Sequence, residues 1–220
     1  MLPLTKVIPK VLVEVNGKPF LYHLIENLKK AGITELGLIV GYKKEQITGF
    51  LEKYNIQATL IEQAEQLGTG HAIMQAEEFV GKDNFLVLGG DNLWSPRDFK
   101  AMAIADNLNY VAGYEVEDPS KYGVLVTEGN KLKKIVEKPK EFISNLTNIG
   151  LYKFKPEIFE ALDKIEISER GEYEITDAIT ILAEQDKVEV IKIKDYWLDL
   201  GSVEDIPKIE EFLNNLPDED

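Results

Sequence analysis

The sequence contains no cysteine and only two histidines among its 220 residues. The lack of cysteine excludes disulfides, cysteine-ligated zinc, iron–sulfur clusters and a thiol nucleophile. Two histidines are also too few for a histidine-rich metal site. No apolar run approaches the roughly 18–20 residues that a membrane-spanning helix needs, and the start of the chain lacks the apolar stretch of a secretory signal. These absences fit a protein of a reducing cytoplasm.

Positive charge is scarce as well, because 25 Lys and Arg face 39 Asp and Glu, which gives a formal net charge of −14. Surfaces that bind nucleic acid or anionic membranes without specificity depend on clustered Lys and Arg. We therefore expect neither nucleic acid nor a membrane as a partner. An anionic ligand would need a few local lysines or a metal ion. A homo-oligomer is left open, because one chain shows no self-complementary patch.

Apolar runs rich in β-branched residues alternate with helical periodicity along the chain. The first part predicts helices over 19–30, 43–53, 70–79 and from about 95, and strands over 36–41, 58–62, 85–89 and 110–116. The apolar run 36–41 is expected to be a strand buried on both faces, and the alternation of strands with helices predicts parallel strands in this part. Beyond residue 118 the pattern predicts a hairpin over 123–127 and 131–137, strands over 149–154 and 188–192, and helices over 156–164, 174–184 and 203–215. This order predicts an α/β fold, a Rossmann-like doubly wound mixed sheet, in one domain.

Two aspartates follow apolar segments in a way that suits a metal site. Asp91 comes directly after the predicted strand 85–89, and open α/β sheets bind ligands at the carboxyl ends of their strands. Asp199 follows Trp197 and Leu198 at a boundary between buried and exposed sequence. Magnesium prefers one or two protein carboxylates plus water and substrate phosphates. The alternatives are a plain turn at Asp91 and a backbone-bonding role for Asp199.

A long polar loop over 63–71 precedes the helix 70–79. Gln63 and Thr69 carry groups that can read amide and carbonyl edges, and Gly68 and Gly70 allow the backbone to approach a flat ligand. Amide groups at a helix start favour an anion. The segment is no dinucleotide fingerprint, because Ile73 stands where a third glycine is needed.

Three charged residues sit beside prolines. Glu137 and Lys138 precede Pro139, which fixes their exit from the hairpin, so that one can accept sugar hydroxyls and the other can meet a phosphate. Lys10 follows a proline in the same way. The alternative for all three is an exposed surface charge. An Asp-x-Asp pattern, typical of many glycosyltransferases, occurs only at 218–220, which disfavours that class.

The order of the motifs is more specific than any one of them. Over nearly the whole chain the series resembles the sugar-1-phosphate nucleotidylyltransferases, also called nucleotide-sugar pyrophosphorylases. The matching segments are Pro3-Leu4-Thr5, Pro9-Lys10, Gly17-Lys18-Pro19, Ala31-Gly32-Ile33, Val40-Gly41-Tyr42, Glu65-Gln66-Leu67-Gly68-Thr69-Gly70-His71-Ala72, Gly90-Asp91-Asn92, Tyr122-Gly123, Glu137-Lys138-Pro139, Asn148-Ile149-Gly150, Gly171-Glu172-Tyr173-Glu174-Ile175-Thr176-Asp177 and Trp197-Leu198-Asp199.

The resemblance implies that a nucleoside triphosphate and a sugar 1-phosphate give a nucleotide sugar and pyrophosphate, with Mg²⁺ as cofactor. By position, Asp91 and Asp199 look like the magnesium ligands, Lys10 like the transition-state phosphate contact and Lys138 like the sugar-phosphate contact. Some segments of the series resemble those of uridylyltransferases and others those of thymidylyltransferases, so the resemblance implies UTP or dTTP as the nucleotide substrate.

The remaining binding roles also follow from the resemblance. Gln63, Gly68 and Thr69, together with Asp91, are similar to the nucleotide-binding positions, and the sugar-binding positions correspond to Gly123, Glu137, Lys138 and Asn148. The implied organisation is a nucleotide-binding half over 1–117, a sugar-binding half over 118–202, and a C-terminal helix and tail over 203–220.

One part of the family pattern is absent. A glycine-rich loop with its own strand should precede residue 2, so we expect the first strand of the sheet to be missing. We therefore expect the chain as written to be inactive or very weak, and an upstream strand and loop to restore turnover. The rival hypothesis is a non-catalytic module that binds a nucleotide or nucleotide sugar and has lost the phosphate loop.

Overall fold

The computed structural model describes residues 1 and 7–217. The first motif of the series, at 3–5, and the acidic end at 218–220 lie outside the described residues.

Twelve strands and eight α-helices are formed by the described residues. The strands are β1 (Glu14–Val15), β2 (Lys18–Pro19), β3 (Gly37–Val40), β4 (Thr59–Glu62), β5 (Phe85–Leu88), β6 (Asn92–Trp94), β7 (Asn109–Glu115), β8 (Gly123–Glu128), β9 (Lys131–Glu137), β10 (Leu146–Phe154), β11 (Val188–Lys192) and β12 (Trp197–Asp199). The helices are α1 (Phe20–Lys30), α2 (Lys44–Lys53), α3 (Thr69–Met74), α4 (Glu77–Val80), α5 (Pro96–Met102), α6 (Glu157–Leu162), α7 (Ile175–Ala183) and α8 (Asp205–Asn214).

A six-stranded mixed sheet forms the centre of the molecule, in the order β5-β10-β7-β11-β9-β8. The longest strand, β10, runs antiparallel to both β5 and β7, whereas β7 and β11 are parallel. The hairpin of β8 and β9 closes on Gly129 and Asn130 as predicted, and Gly129 has the positive φ of +61° that this turn requires. The expectation of parallel strands therefore holds only for part of the sheet.

The sheet separates two hydrophobic cores, because successive side chains of a strand point to opposite faces. Neighbours in β7 show this division: Val111 packs among residues of α3, α6 and α7, and Ala112 packs among residues of α1, α2, α5 and α8. Both side chains are fully buried. Helices on both faces of a mixed sheet confirm the doubly wound fold that the sequence predicts.

Helix α1 shows how local sequence positions the rest. Pro19 precedes the helix in an extended conformation, and the buried residues Leu21, Leu24, Ile25 and Leu28 form one stripe of it. The stripe packs into one core, as the pattern over 19–30 predicts. The polar residue Asn27 on this helix donates hydrogen bonds to the carbonyl of Trp94 and to the hydroxyl of Tyr196.

A cleft separates β3 from β5. Strand β3 pairs in parallel with β4 but joins no strand of the six-stranded sheet. The cleft has a volume of about 760 Å³, is bordered by both strands, and is lined by α1 on one face and by α3 and α4 on the other. Within 1 and 7–217 no strand lies between β3 and β5.

The cleft explains one wrong prediction. Segment 36–41 was expected to be a strand buried on both faces, yet only Val40 of β3 is buried, and Ile39 is 36% exposed. A central strand is covered by neighbours on both edges, and β3 has one only on the side of β4. A second prediction also fails, since the helix 70–79 is broken into α3 and α4 near Gln75. In the described part of the chain, no helix is long and apolar enough to cross a membrane.

Candidate active site

A short two-stranded ribbon carries both candidate metal ligands. Strands β6 and β12 pair antiparallel, with Asn92 opposite Asp199, and the amide of Leu200 donates to the carbonyl of Asp91 at 2.9 Å. Asp91 therefore lies at the start of one strand and Asp199 at the end of the other, on the same end of the ribbon. The structure brings together the two acids that the sequence proposes as a pair.

The ribbon is anchored in the core. Leu93, Trp94 and Leu200 are fully buried, so apolar packing fixes the backbone beside each acid. The Asn27 side chain on α1 donates to the carbonyl of Trp94 at 2.8 Å, which ties α1 to β6. A carboxylate on such a rigid support keeps its place without a bound ligand.

Lys10 reaches this end of the ribbon from a short 3-10 turn over Lys10–Leu12. Its Nζ lies 2.8 Å from Oδ2 of Asp91, and the two side chains are 31% and 35% exposed. Half-exposed ion pairs of this kind contribute only about 0–1 kcal/mol. The lysine can therefore exchange this partner for a phosphate at little cost.

The electrostatics of Asp199 record the crowding of negative charge. Loss of hydration around the carboxyl group raises its pKa, the nearby Asp91 and Asp205 raise it further, and Lys10 opposes them. Asp205 itself accepts hydrogen bonds from the amide and hydroxyl of Ser202 at the start of α8, at 2.7 and 2.8 Å. The fold thus holds two like charges side by side, an arrangement that a bound cation would relieve.

The two carboxylates suit magnesium better than a metal whose ligands all come from protein side chains. Among residues 1 and 7–217, no group of three or more His, Cys, Asp or Glu side chains is arranged to hold a metal. Two carboxylates that leave other positions to water and phosphate are what Mg²⁺ commonly uses. Asp91 and Asp199 would hold such an ion, and the substrate would complete its coordination.

The predicted sugar-binding residues also converge. Gly123 on β8 lies opposite Glu137 on β9, and a side chain added at Gly123 would meet Oε2 of Glu137 at 3.0 Å and Cβ of Asn148 at 3.7 Å. The Asn148 amide donates to the hydroxyl of Tyr152 at 2.9 Å. Burial raises the pKa of Tyr152 to about 12, and the charge of Glu137 adds to the effect.

Lys138 directly follows the last residue of β9. Its amide donates to the carbonyl of Tyr122 at 3.0 Å, and the Tyr122 ring contacts Trp197 edge-on, with centroids 5.4 Å apart. Lys138 has a φ of +41°, which L side chains rarely adopt. This conformation was not foreseen, because the proline that follows favours an extended residue before it.

The predicted base-reading loop packs against protein instead of leaving an open face. A side chain at Gly68 would meet the carbonyl of Tyr173 at 2.7 Å, and Gly70 donates its amide to the same carbonyl. The hydroxyl of Thr69 accepts a hydrogen bond from the amide of Ile175 at 3.2 Å and so caps α7. The backbone at Gly68 and Gly70, which was expected to approach a flat ligand, instead lies against Tyr173 of the same chain.

Gln63 is engaged in the same loop. Its amide nitrogen donates to the carbonyl of Gly68 at 3.2 Å and lies 3.0 Å from Nδ1 of His71. The imidazole of His71 therefore serves as a hydrogen-bonding group of this loop. Any contact of Gln63 with a nucleotide base would have to use its oxygen or release these bonds.

Comparison with known proteins identifies the family and the fold of the chain. A family model described as nucleotidyl transferase matches residues 1–215. The chain belongs to the nucleotidyl transferase family. Its relatives and its fold are those of sugar-1-phosphate nucleotidylyltransferases, as the motif series implies.

Two curated members of this nucleotidyl transferase family show the extent of the match. The bifunctional protein GlmU of Methanocaldococcus jannaschii is 39% identical over 215 residues, covering 96% of this chain and 50% of that protein. The low-salt glycan biosynthesis nucleotidyltransferase Agl11 of Haloferax volcanii is 38% identical over 213 residues, covering 93% and 60%. The chain spans about half the length of the curated relatives it matches.

Solved nucleotidyl transferase structures share the whole fold. A UDP-glucose pyrophosphorylase complexed with UDP-glucose superimposes with a TM-score of 0.85 at 29% identity, covering 97% of this chain and 93% of that one. A structure described as a glucose-1-phosphate thymidylyltransferase from Bacillus anthracis gives 0.84 at 26% identity, covering 100% and 92%.

Some residues of the site escaped sequence reasoning. The predicted elements omit β6 and β12, because three residues are too few to show a period. The side chains of Asn92 and Trp197 are hydrogen-bonded to each other beside Asp91. Both residues belong to the motif series, so their position in it was the one available signal.

Proposed function

We propose that the chain catalyses transfer of a nucleotidyl group from UTP or dTTP to a sugar 1-phosphate, releasing pyrophosphate and requiring Mg²⁺. The observation that carries this proposal is the meeting of Asp91, Asp199 and Lys10 at one end of the β6–β12 ribbon. An acidic chain of net charge −14 can bind two anionic substrates there because positive charge is supplied locally.

The reaction asks for little covalent chemistry from the protein. An oxygen of the sugar phosphate forms a bond to the α-phosphorus of the triphosphate while the bond to pyrophosphate breaks, so the electron pair leaves with pyrophosphate. Catalysis then rests on positioning and charge neutralisation. A bound Mg²⁺ would neutralise phosphate charge and orient the α-phosphate.

Each side chain has a distinct task in this scheme. Asp91 and Asp199 hold the ion from two strands of one rigid ribbon. Lys10 leaves Asp91 and meets the phosphates of the triphosphate, which lowers the repulsion between the reacting groups. Lys138 receives the phosphate of the sugar, and Glu137 with Asn148 holds sugar hydroxyls beside Gly123.

The choice of a pyrimidine nucleotide and a hexose rests on likeness. The solved structures of similar fold are described as a UDP-glucose pyrophosphorylase and a glucose-1-phosphate thymidylyltransferase. A screen of four nucleoside triphosphates against several sugar 1-phosphates, with the chain extended by the upstream strand and loop and read by pyrophosphate release and mass of the product, tests the choice. Turnover with purine triphosphates alone would contradict it.

Replacement of either proposed metal ligand should abolish the reaction. Asp91→Asn and Asp199→Asn keep the size of each side chain but remove a charge, so we expect the Mg²⁺-dependent turnover of the chain extended by the upstream strand and loop to fall by roughly 100-fold or more with the fold intact. Asp186→Asn is the matched control, because Asp186 is a surface acid paired with Lys133. Turnover at the unsubstituted rate in either site variant would overturn the assignment.

A second candidate function is binding of a nucleotide or nucleotide sugar without turnover. The cleft between β3 and β5 favours it, because Val11 and Gly90 line the cleft and are the neighbours of Lys10 and Asp91 in the chain. Calorimetry with UTP, UDP-glucose and Mg²⁺ beside the turnover assay separates the two. Binding without pyrophosphate release would support this candidate.

A further inference from the structure

Three hydrogen bonds connect the side chains of Trp197, Asn92, Asp91 and Lys10, in that order, in one chain. The indole Nε1 of Trp197 donates to Oδ1 of Asn92 at 2.6 Å, and Nδ2 of Asn92 donates to Oδ1 of Asp91 at 2.9 Å. The other oxygen of Asp91, Oδ2, accepts from Lys10 at 2.8 Å. Both carboxylate oxygens of Asp91 are thus directed by neighbouring side chains.

The direction of this chain is fixed by chemistry. An indole nitrogen can only donate a hydrogen bond, so the amide oxygen of Asn92 must face Trp197. The amide nitrogen of Asn92 then faces Asp91, whose ionised carboxylate can only accept. Without the indole donor, Asn92 would lose the contact that holds its amide in place beside the carboxylate.

Aromatic packing holds the indole ring in its place. Tyr114 and Tyr122 both contact Trp197 edge-on, with centroid distances of 6.1 and 5.4 Å. The ring also belongs to β12, whose pairing places Asn92 opposite Asp199. The strand that carries one proposed metal ligand therefore also supplies the group that orients the other.

We propose that Asn92 and Trp197 are positioning residues that set the orientation of the Asp91 carboxylate for a divalent cation. The inference rests on the metal role proposed for Asp91. Groups that hold a metal-binding side chain commonly change metal affinity by about 10–100-fold when they are replaced. Trp197 acts through Asn92, so replacing Trp197 should not change the metal affinity further once the amide of Asn92 has been removed.

The chain contains a matched control for the indole. Its other tryptophan, Trp94, lies on the partner strand β6 and is fully buried, and its Nε1 has no hydrogen-bond partner among the described residues. Trp197→Phe and Trp94→Phe each remove one indole nitrogen from the same ribbon. Only the first of these two changes breaks the connection to Asp91.

The test is direct binding of Mn²⁺ to the folded protein without nucleotide. Electron paramagnetic resonance measures the unbound Mn²⁺ and so gives the dissociation constant. We expect Trp197→Phe to raise the dissociation constant about tenfold. We expect Trp94→Phe to change it by less than about twofold, whatever its effect on thermal stability. Equal dissociation constants for the two variants, or no Mn²⁺ binding by the unsubstituted chain, would overturn the proposal.

A double-mutant cycle separates positioning from general support. Asn92→Leu removes the amide at similar size and should raise the dissociation constant at least as much as Trp197→Phe. Adding Trp197→Phe to Asn92→Leu should then have no further effect, whereas additive losses would contradict action through Asn92. Loss of Mn²⁺ affinity in Trp197→Phe together with no turnover by the chain extended with the upstream strand and loop would reject the proposed function and keep this inference.

Discussion

At the scale of single residues, Lys138 combines a strained backbone with a proposed substrate contact. Its φ of +41° stands directly before Pro139, where an extended conformation is favoured. Strain of this kind costs about 1–3 kcal/mol and persists where the surroundings enforce it. Here the amide of Lys138 is held by the carbonyl of Tyr122, and the β8–β9 pairing ends at Glu137.

We predict that Lys138→Gly makes the protein more stable and less active. Glycine accepts the positive φ, so the free energy of unfolding should rise by about 1 kcal/mol, while turnover falls roughly tenfold or more because the ammonium group is lost. Lys138→Ala is the control, since it removes the same charge and keeps the strain. Urea unfolding and pyrophosphate release measure the two effects, and equal stability of the Gly and Ala variants would count against the argument.

Much of the site could be predicted at this scale, because the residue types and their sequence neighbours indicate which chemical groups are available. An aspartate after a buried strand and a lysine after a proline are visible in the sequence, and the structure joins Asp91 to Lys10. The orientation of Asp91 could not be predicted. It depends on the indole of Trp197, which approaches Asn92 through pairing of two distant three-residue strands.

At the scale of elements, strand β10 carries a lysine in the core. Lys153 is 2% exposed, and its ammonium group donates to Oδ1 of Asp106 at 2.7 Å and to the carbonyls of Asp106 and Leu108. Burial acts to raise the pKa of Asp106, but hydrogen bonds from Lys153 and Tyr110 outweigh it and lower the pKa to about 2. This pair fixes the end of β7 against β10.

We predict that Asp106→Asn destabilises the protein in a pH-dependent way. At pH 7 we expect a loss of about 2 kcal/mol, less than the ~3–5 kcal/mol of fully buried pairs because solvent reaches Asp106. The folded pKa is lowered, so the stabilisation is present above the unfolded value of about 3.9 and disappears as the pH falls through about 2. Unfolding curves of both proteins between pH 7 and 2 should converge, and a constant difference would contradict the assignment.

The elements differ in how far their sequence reveals them. Helix α1 and strand β11 match their predictions within one residue, since each has a clear period and a clear end. The short strands β1, β2, β6 and β12 were not predicted, because two or three residues carry no period. The break between α3 and α4 was hidden too, since no proline or glycine marks it in the sequence.

At the scale of the whole molecule, the cleft between β3 and β5 is the largest departure from a continuous sheet. Its walls are apolar residues of α1 and α4 and the facing edges of two strands. Unpaired strand edges and exposed apolar walls lower the stability of the fold. A strand of apolar residues in the cleft would pair with both edges and cover the apolar walls. The cleft ends beside Val11 and Gly90, so whatever fills it borders the site.

We predict that an amino-terminal extension with an apolar strand and a glycine-rich loop occupies this cleft. The melting temperature and the turnover should both rise, and amides of β3 and β5 should become protected from hydrogen exchange. An extension of equal length made of glycine and serine is the control. Equal turnover from the extended and unextended forms in the pyrophosphate-release assay would refute the prediction.

The β6–β12 ribbon has a consequence for the order of events during synthesis. Strand β6 leaves the ribosome long before β12, so a nascent chain that has emerged only through β11 displays Asp91 without Asp199 and Asn92 without its indole donor. Metal capture at the proposed site should therefore begin only once β12 has been translated. Uptake of a divalent ion would then report that β12 has paired with β6.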